Sequence, residues 1–134
     1  MLAYLNRALH ATTARMLKFS LVGASGIGVN MFFLWVLAER AGFPVLPASI
    51  IAIEFSILNN FAWNYQWTFR DRKSSEPQGW HPAILKYHLS VSVAALTNVL
   101  LLWLLHSLLG MHYLVANALG IVAGFALNYG ISNR

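Results

Sequence analysis

Hydrophobic positions along the chain gather into four blocks separated by polar or turn-forming segments. Phe19 to Ala38 is an uncharged run of 20 residues, the length that carries a helix across a hydrocarbon core of ~30 Å. Leu46 to Phe69 holds a single charge, Glu54, and Tyr87 to Leu109 and Tyr113 to Asn133 hold none. The connections AGFPVLP (41–47) and GMH (110–112) suit only hairpin turns, whereas 70–86 is polar, Pro-interrupted and long enough for a loop. This pattern predicts an all-α integral membrane protein: a single membrane domain, 1–134, of four transmembrane helices at 19–38, 46–69, 87–109 and 113–133. Residues 2–16 place Leu2, Leu5, Leu9 and Met16 on roughly one helical face, so 1–17 reads either as an interfacial helix or as a tail.

Composition supports the pattern. Hydrophobic residues make up 58% of the chain and charged residues 10%, against about 25% charged in an ordinary soluble domain. A net charge of +5 and a pI near 10.0 could suggest nucleic acid, but that needs Lys and Arg on one folded, water-facing surface. Here they stand at the ends of apolar runs, where they meet anionic headgroups and set orientation. Arg7, Arg15, Lys18, Arg70, Arg72, Lys73, Lys86 and Arg134 fall on one side and only Arg40 on the other. The positive-inside rule makes the richer side cytoplasmic, with both termini and the 70–86 loop on it. Trp63, Tyr65, Trp67, Trp80 and Tyr87 cluster near the same interface, as an aromatic belt should. The chain has no cysteine, which excludes disulfide and thiolate chemistry. The first ~17 residues lack a separate apolar core with a small-residue cleavage site, so no cleavable signal peptide is expected.

Shifted by 68 residues, the chain aligns with itself: 18–66 on 86–134 without a gap, with 11 of 49 pairs identical. The informative pairs are Lys18 with Lys86, Asn30 with Asn98, Trp35 with Trp103, Gly42 with Gly110, and Asn60 with Asn128. Each half contributes two spans, so the halves share one orientation and form a parallel repeat about an axis along the membrane normal. Within it, Ala48, Ala52, Ser56, Asn60 and Asn64 follow at i+4, as do Ala116, Gly120, Gly124, Asn128 and Ser132. Gly26 then Asn30, and Ala94 then Asn98, repeat the theme. Such stripes let backbones approach, and an interhelical Asn hydrogen bond adds ~0.6–2 kcal/mol. Packing alone accounts for the pattern; so does a polar cavity for part of a substrate, and six Asn (30, 59, 60, 64, 98, 128) exceed what packing usually requires.

Glu54 is the exceptional residue. It lies roughly 12 Å from the outer end of its span, where a carboxylate must face protein or water, and it reads as functional or as a hydrogen-bonded structural group. His88 and His106, near span ends, read as interfacial. No His, Asp or Glu pair has ligand spacing on one face, and no nucleophile with a base or phosphate loop is visible. The pattern therefore predicts no metal, no cofactor and no catalytic residue.

The segments KFSLVG (18–23), NNFAWNYQWTF (59–69), KY (86–87) and LNYGISNR (127–134) resemble the GtrA-like family, small four-span bacterial membrane proteins. The family's N-F-x-x-N-x-x-W-x-F signature falls on Asn60, Phe61, Asn64, Trp67 and Phe69. The second-half copy departs from it, with Tyr129 for Phe and Ser132 for Asn, and the sequence ends at Arg134 before W-x-F. The inner end of the fourth span is accordingly expected to be weakly anchored.

The resemblance implies translocation of a polyprenyl-phosphate-linked monosaccharide across the bacterial cytoplasmic (inner) membrane, for cell-surface polysaccharide synthesis or modification. The residues are compatible with it. Lys18 and Lys86 would meet the phosphate, Asn30, Asn60, Asn64, Asn98 and Asn128 the sugar, and Glu54 would join the substrate-binding set. One alternative is a non-transporting membrane partner of a polyprenyl-phosphate glycosyltransferase. Another is a small proton-coupled multidrug exporter, against which stand the parallel halves and the lysines, better suited to an anion. Four helices enclose little volume, so a homo-oligomer is a further expectation, with the Gly120 and Gly124 face as one contact.

Overall fold

A computed structural model describes residues 2–68 and 79–132, and all regular structure among them is helical. Helix α1 spans Leu2–Trp35 and runs into a π-helical turn, Val36–Arg40; α2 spans Val45–Trp63 and its π-turn Asn64–Thr68. Helix α3 spans Trp80–Leu102 with a π-turn at Trp103–Leu108, and α4 spans Tyr113–Ser132. At ~1.5 Å per residue, the 34 residues of α1 reach about 50 Å, beyond the ~30 Å a membrane core requires. The amphipathic segment 2–16 is thus the first part of the same helix that forms the first span. Helix α3 also starts earlier than the pattern predicts. Pro82 interrupts the 70–86 segment in sequence, but it stands in the first turn, where a missing N–H has no intrahelical partner to lose. Of the predicted loop, 70–78, with Arg70, Arg72 and Lys73, lies outside the described residues, as do Phe69 and Arg134.

Three stretches are long and apolar enough to cross a membrane, His10–Arg40, Val45–Thr68 and His81–Leu108, and Tyr113–Asn128 is a shorter apolar helix. Leu21, Leu89, Leu96, Leu100 and Val122 all stand more than 60% exposed on the outside of the bundle. An outer surface so thoroughly apolar would drive association in water but suits lipid. The protein is a multi-pass membrane protein.

The duplication is visible atom by atom in the two turns at 41–44 and 109–112. Gly42 and Gly110, repeat mates, hold φ of 70° and 68°, the left-handed conformation that ends a helix most cheaply at glycine. The Phe43 N–H donates to the Leu37 carbonyl and the Met111 N–H to the Leu105 carbonyl, both at 2.9 Å and both 68 residues apart in pairs. Beneath the turns lies the core, also in mates: Leu34 with Leu102 and Ala48 with Ala116 are fully buried, joined by Ala52 and Tyr113.

Within each hairpin the helices touch backbone to side chain, yet the glycine that permits it changes sides. In the first hairpin the Asn60 amide lies over Gly26 of α1, and the Ser56 hydroxyl donates to the Gly26 carbonyl at 2.8 Å. In the second, Asn98 of α3 lies over Gly120, and a Cβ on Gly124 would come within 2.6 Å of the Ala94 carbonyl oxygen. Gly120 and Gly124 are therefore spent inside the chain against α3. That corrects the expectation that their face is open for a second copy.

Candidate functional site

A cavity of about 280 Å³ sits where all four helices meet. Its lining follows the duplication: Asn30 with Asn98, Asn60 with Asn128, Ile53 with Ile121, Ile57 with Phe125, Gly23 with Val91, and Ile27 with Ala95 are mates that both line it. Both halves of the repeat thus contribute equivalent residues to the lining. The packed core closes its end nearest the turns, and Phe19, Asn64, Tyr87 and Asn128 mark the other.

Among the described residues, the walls carry no charged side chain. Their polar groups are five Asn amides, the Tyr87 hydroxyl and the hydroxyls of Ser56 and Ser90, and both serines already donate to backbone carbonyls, of Gly26 and Tyr87. The amides are the groups left to meet a ligand. Asn30, Asn64 and Asn98 are 3–4% exposed, held between helices. The Asn30 Oδ1 accepts a 2.6 Å hydrogen bond from the Asn117 amide of α4, while the Oδ1 atoms of Asn64 and Asn98 have no protein donor. Buried carbonyls in that state are costly and call for a donor. The π-turn at Asn64–Thr68 turns both of those side chains inward, each under 5% exposed, as π-turns often do beside functional sites.

Of the eight residues singled out from the sequence, Asn30, Asn60, Asn64, Asn98 and Asn128 line this one cavity. Lys18 and Lys86 do not, but each directly precedes a lining aromatic, Phe19 or Tyr87, at the end away from the turns. The Lys18 ammonium lies 5.3 Å from the centre of the Trp67 ring, a cation–π arrangement that holds it beside α2. Asn59, the remaining amide of the stripe, bonds Ser25 and Asn60 instead, at 3.0 and 3.3 Å.

Glu54 stands outside the cavity, its side chain half-exposed, with Oε1 2.9 Å from Nε2 of His88. His88 is thereby a partner across the α2–α3 contact, beyond the interfacial role its position suggests. Its Nδ1–H donates to the Ile84 carbonyl at 2.9 Å, which commits that nitrogen as a donor. A single proton must then lie between Nε2 and the carboxyl, giving either imidazolium with carboxylate or imidazole with carboxylic acid. Both forms are net neutral, and a neutral pair is what a membrane interior tolerates. His106 closes the second turn, its Nδ1–H donating to the Met111 carbonyl at 2.8 Å.

Asn117 is the residue that the i+4 stripes pass over. It is fully buried, and its bond to Asn30 ties α4 to α1 at the top of the cavity. The available signal was an amide within an apolar span whose repeat mate, Ser49, is also polar. Among the described residues no group of three or more His, Cys, Asp or Glu could hold a metal ion.

A dolichol-phosphate mannosyltransferase of Pyrococcus furiosus is 44% identical over 120 residues, covering 90% of this chain but only 33% of that enzyme. The chain thus spans about a third of the length of that relative. An uncharacterized membrane protein of Bacillus subtilis, YngA, is 28% identical over 113 residues, 84% of this chain and 70% of its own. The model of the GtrA/DPMS transmembrane domain matches residues 18–134, which take in both hairpins and all four walls of the cavity, and the chain belongs to that family.

Proposed function

We propose that this protein translocates a polyprenyl-phosphate-linked monosaccharide across the bacterial cytoplasmic membrane, with both termini and the 70–86 segment inside and the two hairpins related by a parallel pseudo-two-fold axis. The observation that carries the reading is the uncharged, amide-lined cavity to which both halves of the repeat contribute. An isolated phosphate would be poorly placed in it, since it offers no counter-ion. A sugar ring suits it: its hydroxyls can exchange hydrogen bonds with the Asn60 and Asn128 amides of the lining. At about 280 Å³ the space is at the lower limit of the ~300–1,000 Å³ of small-molecule sites, which favours one ring over an oligosaccharide. Lys18 and Lys86, each next in sequence to a residue of the lining, supply cations for the phosphate while the isoprenoid chain stays in lipid. Glu54 takes part through the proton it shares with His88. The proposal contains no bond-making step, so the protein works as a carrier and not as an enzyme.

A second reading, a non-transporting partner of a membrane glycosyltransferase, is favoured by the match to one third of a mannosyltransferase. Proteoliposomes containing the purified protein alone separate the two. Transfer of a polyprenyl-phosphate mannose or glucose from one leaflet to the other, well above protein-free vesicles, is the expected result. Specific binding without transfer would favour the partner reading. A multidrug exporter is disfavoured because Glu54 does not line the cavity.

A further inference from the structure

A second concavity lies on the outside of the first hairpin, between α1 and α2. This groove offers about 540 Å³ and is lined by Leu21, Val22, Ser25, Trp63, Gln66 and Trp67, none of which lines the cavity. Helix periodicity keeps the two apart. Phe19, Gly23 and Ile27 of α1 face the cavity, Leu21, Val22 and Ser25 face the groove, and Gly26, packed under the Asn60 amide, falls between the two sets. Lys18 shares the helical face of Val22 and Ser25, four and seven residues before them.

Polarity is graded along the groove. At the end nearer the turns, the Ser25 hydroxyl donates to the Val22 carbonyl at 2.7 Å and accepts from the Asn59 amide at 3.0 Å, so these polar groups are engaged within the protein. In the middle the surface is hydrophobic: buried Val22 forms the floor, with exposed Leu21 and Trp63 on either side. At the far end the Lys18 ammonium lies over the Trp67 ring, beside the Gln66 amide of the same turn. A ring face attracts the charge without taking up the ammonium's three N–H donors in conventional hydrogen bonds. Trp63 and Trp67 stand edge to face at 6.4 Å and make one wall. The π-turn that buries Asn64 and Thr68 leaves Gln66 and Trp67 on the outside. The repeat copies the cation, as Lys86, but not the wall, since the mate of Trp63 is Ile131.

We propose that this groove is a docking site for the polyprenyl-phosphate sugar, separate from the cavity, with the phosphate at Lys18 and Gln66 and the first stretch of the isoprenoid chain on Val22 between Leu21 and Trp63. The proposal rests on the lipid-linked sugar reading and adds a second subsite, which holds the lipid before its sugar enters the cavity. The order of groups along the groove, cation and amide and then apolar floor, is the order of phosphate and chain in the ligand. From Lys18 to Ser25 the groove runs ~10 Å, beyond which the chain passes into lipid. Bilayer phospholipids share the phosphate but carry two acyl chains on one glycerol, whereas a furrow between two helices in contact suits a single chain.

The test uses the full chain in phosphatidylcholine nanodiscs with a polyprenyl-phosphate mannose radiolabelled in its isoprenoid chain. The photoreactive residue benzoylphenylalanine is placed at Leu21, or at its repeat mate Leu89, which is as exposed, 66% against 61%, and lines neither the groove nor the cavity. Labelling about tenfold stronger at 21 than at 89, equivalent to ~1.4 kcal/mol of preference, is expected. Unlabelled polyprenyl phosphate should suppress it, and the same excess of phosphatidylglycerol should not. Gln66→Glu, at an exposed position, sets a carboxylate among the phosphate-binding groups and should abolish the preference, whereas Lys18→Arg should keep it. If phosphatidylglycerol suppresses labelling as well as polyprenyl phosphate does, the groove takes bilayer phospholipid and the proposal is overturned. If the sugar lipid binds but labels 89 as strongly as 21, or if Gln66→Glu changes nothing, the docking site is wrong and the functional reading stands. If the lipid does not bind at all, both fail.

Discussion

A methyl group added at Gly124 would meet the Ala94 carbonyl oxygen at 2.6 Å and its Cα at 3.1 Å, so α3 and α4 can lie this close only over a hydrogen. Gly124→Leu should therefore destabilise the protein by ~1–3 kcal/mol or more, as overpacking does, whereas Gly28→Leu, directed into open space, should cost little. Thermal unfolding in detergent, followed by tryptophan fluorescence, compares the two. At Glu54 the residue scale meets function. Gln can donate to the Nε2 of a neutral His88 and keep the α2–α3 hydrogen bond, but it carries no exchangeable carboxyl proton. Glu54→Gln should fold at least as stably as the parent and transport poorly in proteoliposomes. A variant that unfolds readily, yet whose folded fraction transports at the normal rate, would make Glu54 a structural group only.

At the scale of elements, the hairpin is the unit that the duplication copies. Its turn is closed by a left-handed glycine and a carbonyl of the widened last turn, its core by a Leu and an Ala, and its cavity wall by two Asn. Two hairpins of the same sense put both described turns at one end of the bundle, over the shared core. With eight of the nine Lys and Arg residues grouped at the 70–86 segment and the termini, the side bearing them should be the cytoplasm. Ser75 lies outside the described residues, but its side of the membrane is testable because the native chain has no cysteine. Ser75→Cys in intact cells should resist an impermeant external thiol reagent that labels a cysteine placed at Phe43, in the first turn. Labelling at 75 and protection at 43 would invert the topology.

At the scale of the whole molecule, the proposed function divides an amphiphile among three environments: the cavity amides for a polyol, Lys18 and Lys86 for an anion, and lipid outside for a hydrocarbon chain. Lys18→Gln with Lys86→Gln should insert normally, because six other basic residues remain on that side. The pair of substitutions should still weaken binding of a polyprenyl-phosphate sugar by about tenfold, ~1.4 kcal/mol, while sparing the far weaker affinity for a free glycoside. Equilibrium binding to the purified variants in nanodiscs measures both. Unchanged affinity for the sugar lipid would leave the lysines as simple topological anchors.

Four apolar helices, the hairpin duplication and the amides that line the cavity were legible in the sequence, because each depends on residue type and spacing. Apolar length dictates crossing, and i+4 recurrence of small and amide residues dictates a common helical face, which is why five Asn converge on one cavity. Other features depend on how the faces meet, and no spacing specifies that. Gly120 and Gly124 turn toward α3 and not toward another copy; Glu54 leaves the cavity and finds His88, 34 residues away; Asn117 reaches Asn30 across 87 residues. Early helix starts escaped for a different reason: Pro82 breaks a helix interior but not a first turn, and which of these it occupies depends on where the chain begins to coil. The repeat makes the two hairpins alike in sequence position, and only tertiary contact decides which side chains find a partner across the bundle, as Glu54 finds His88.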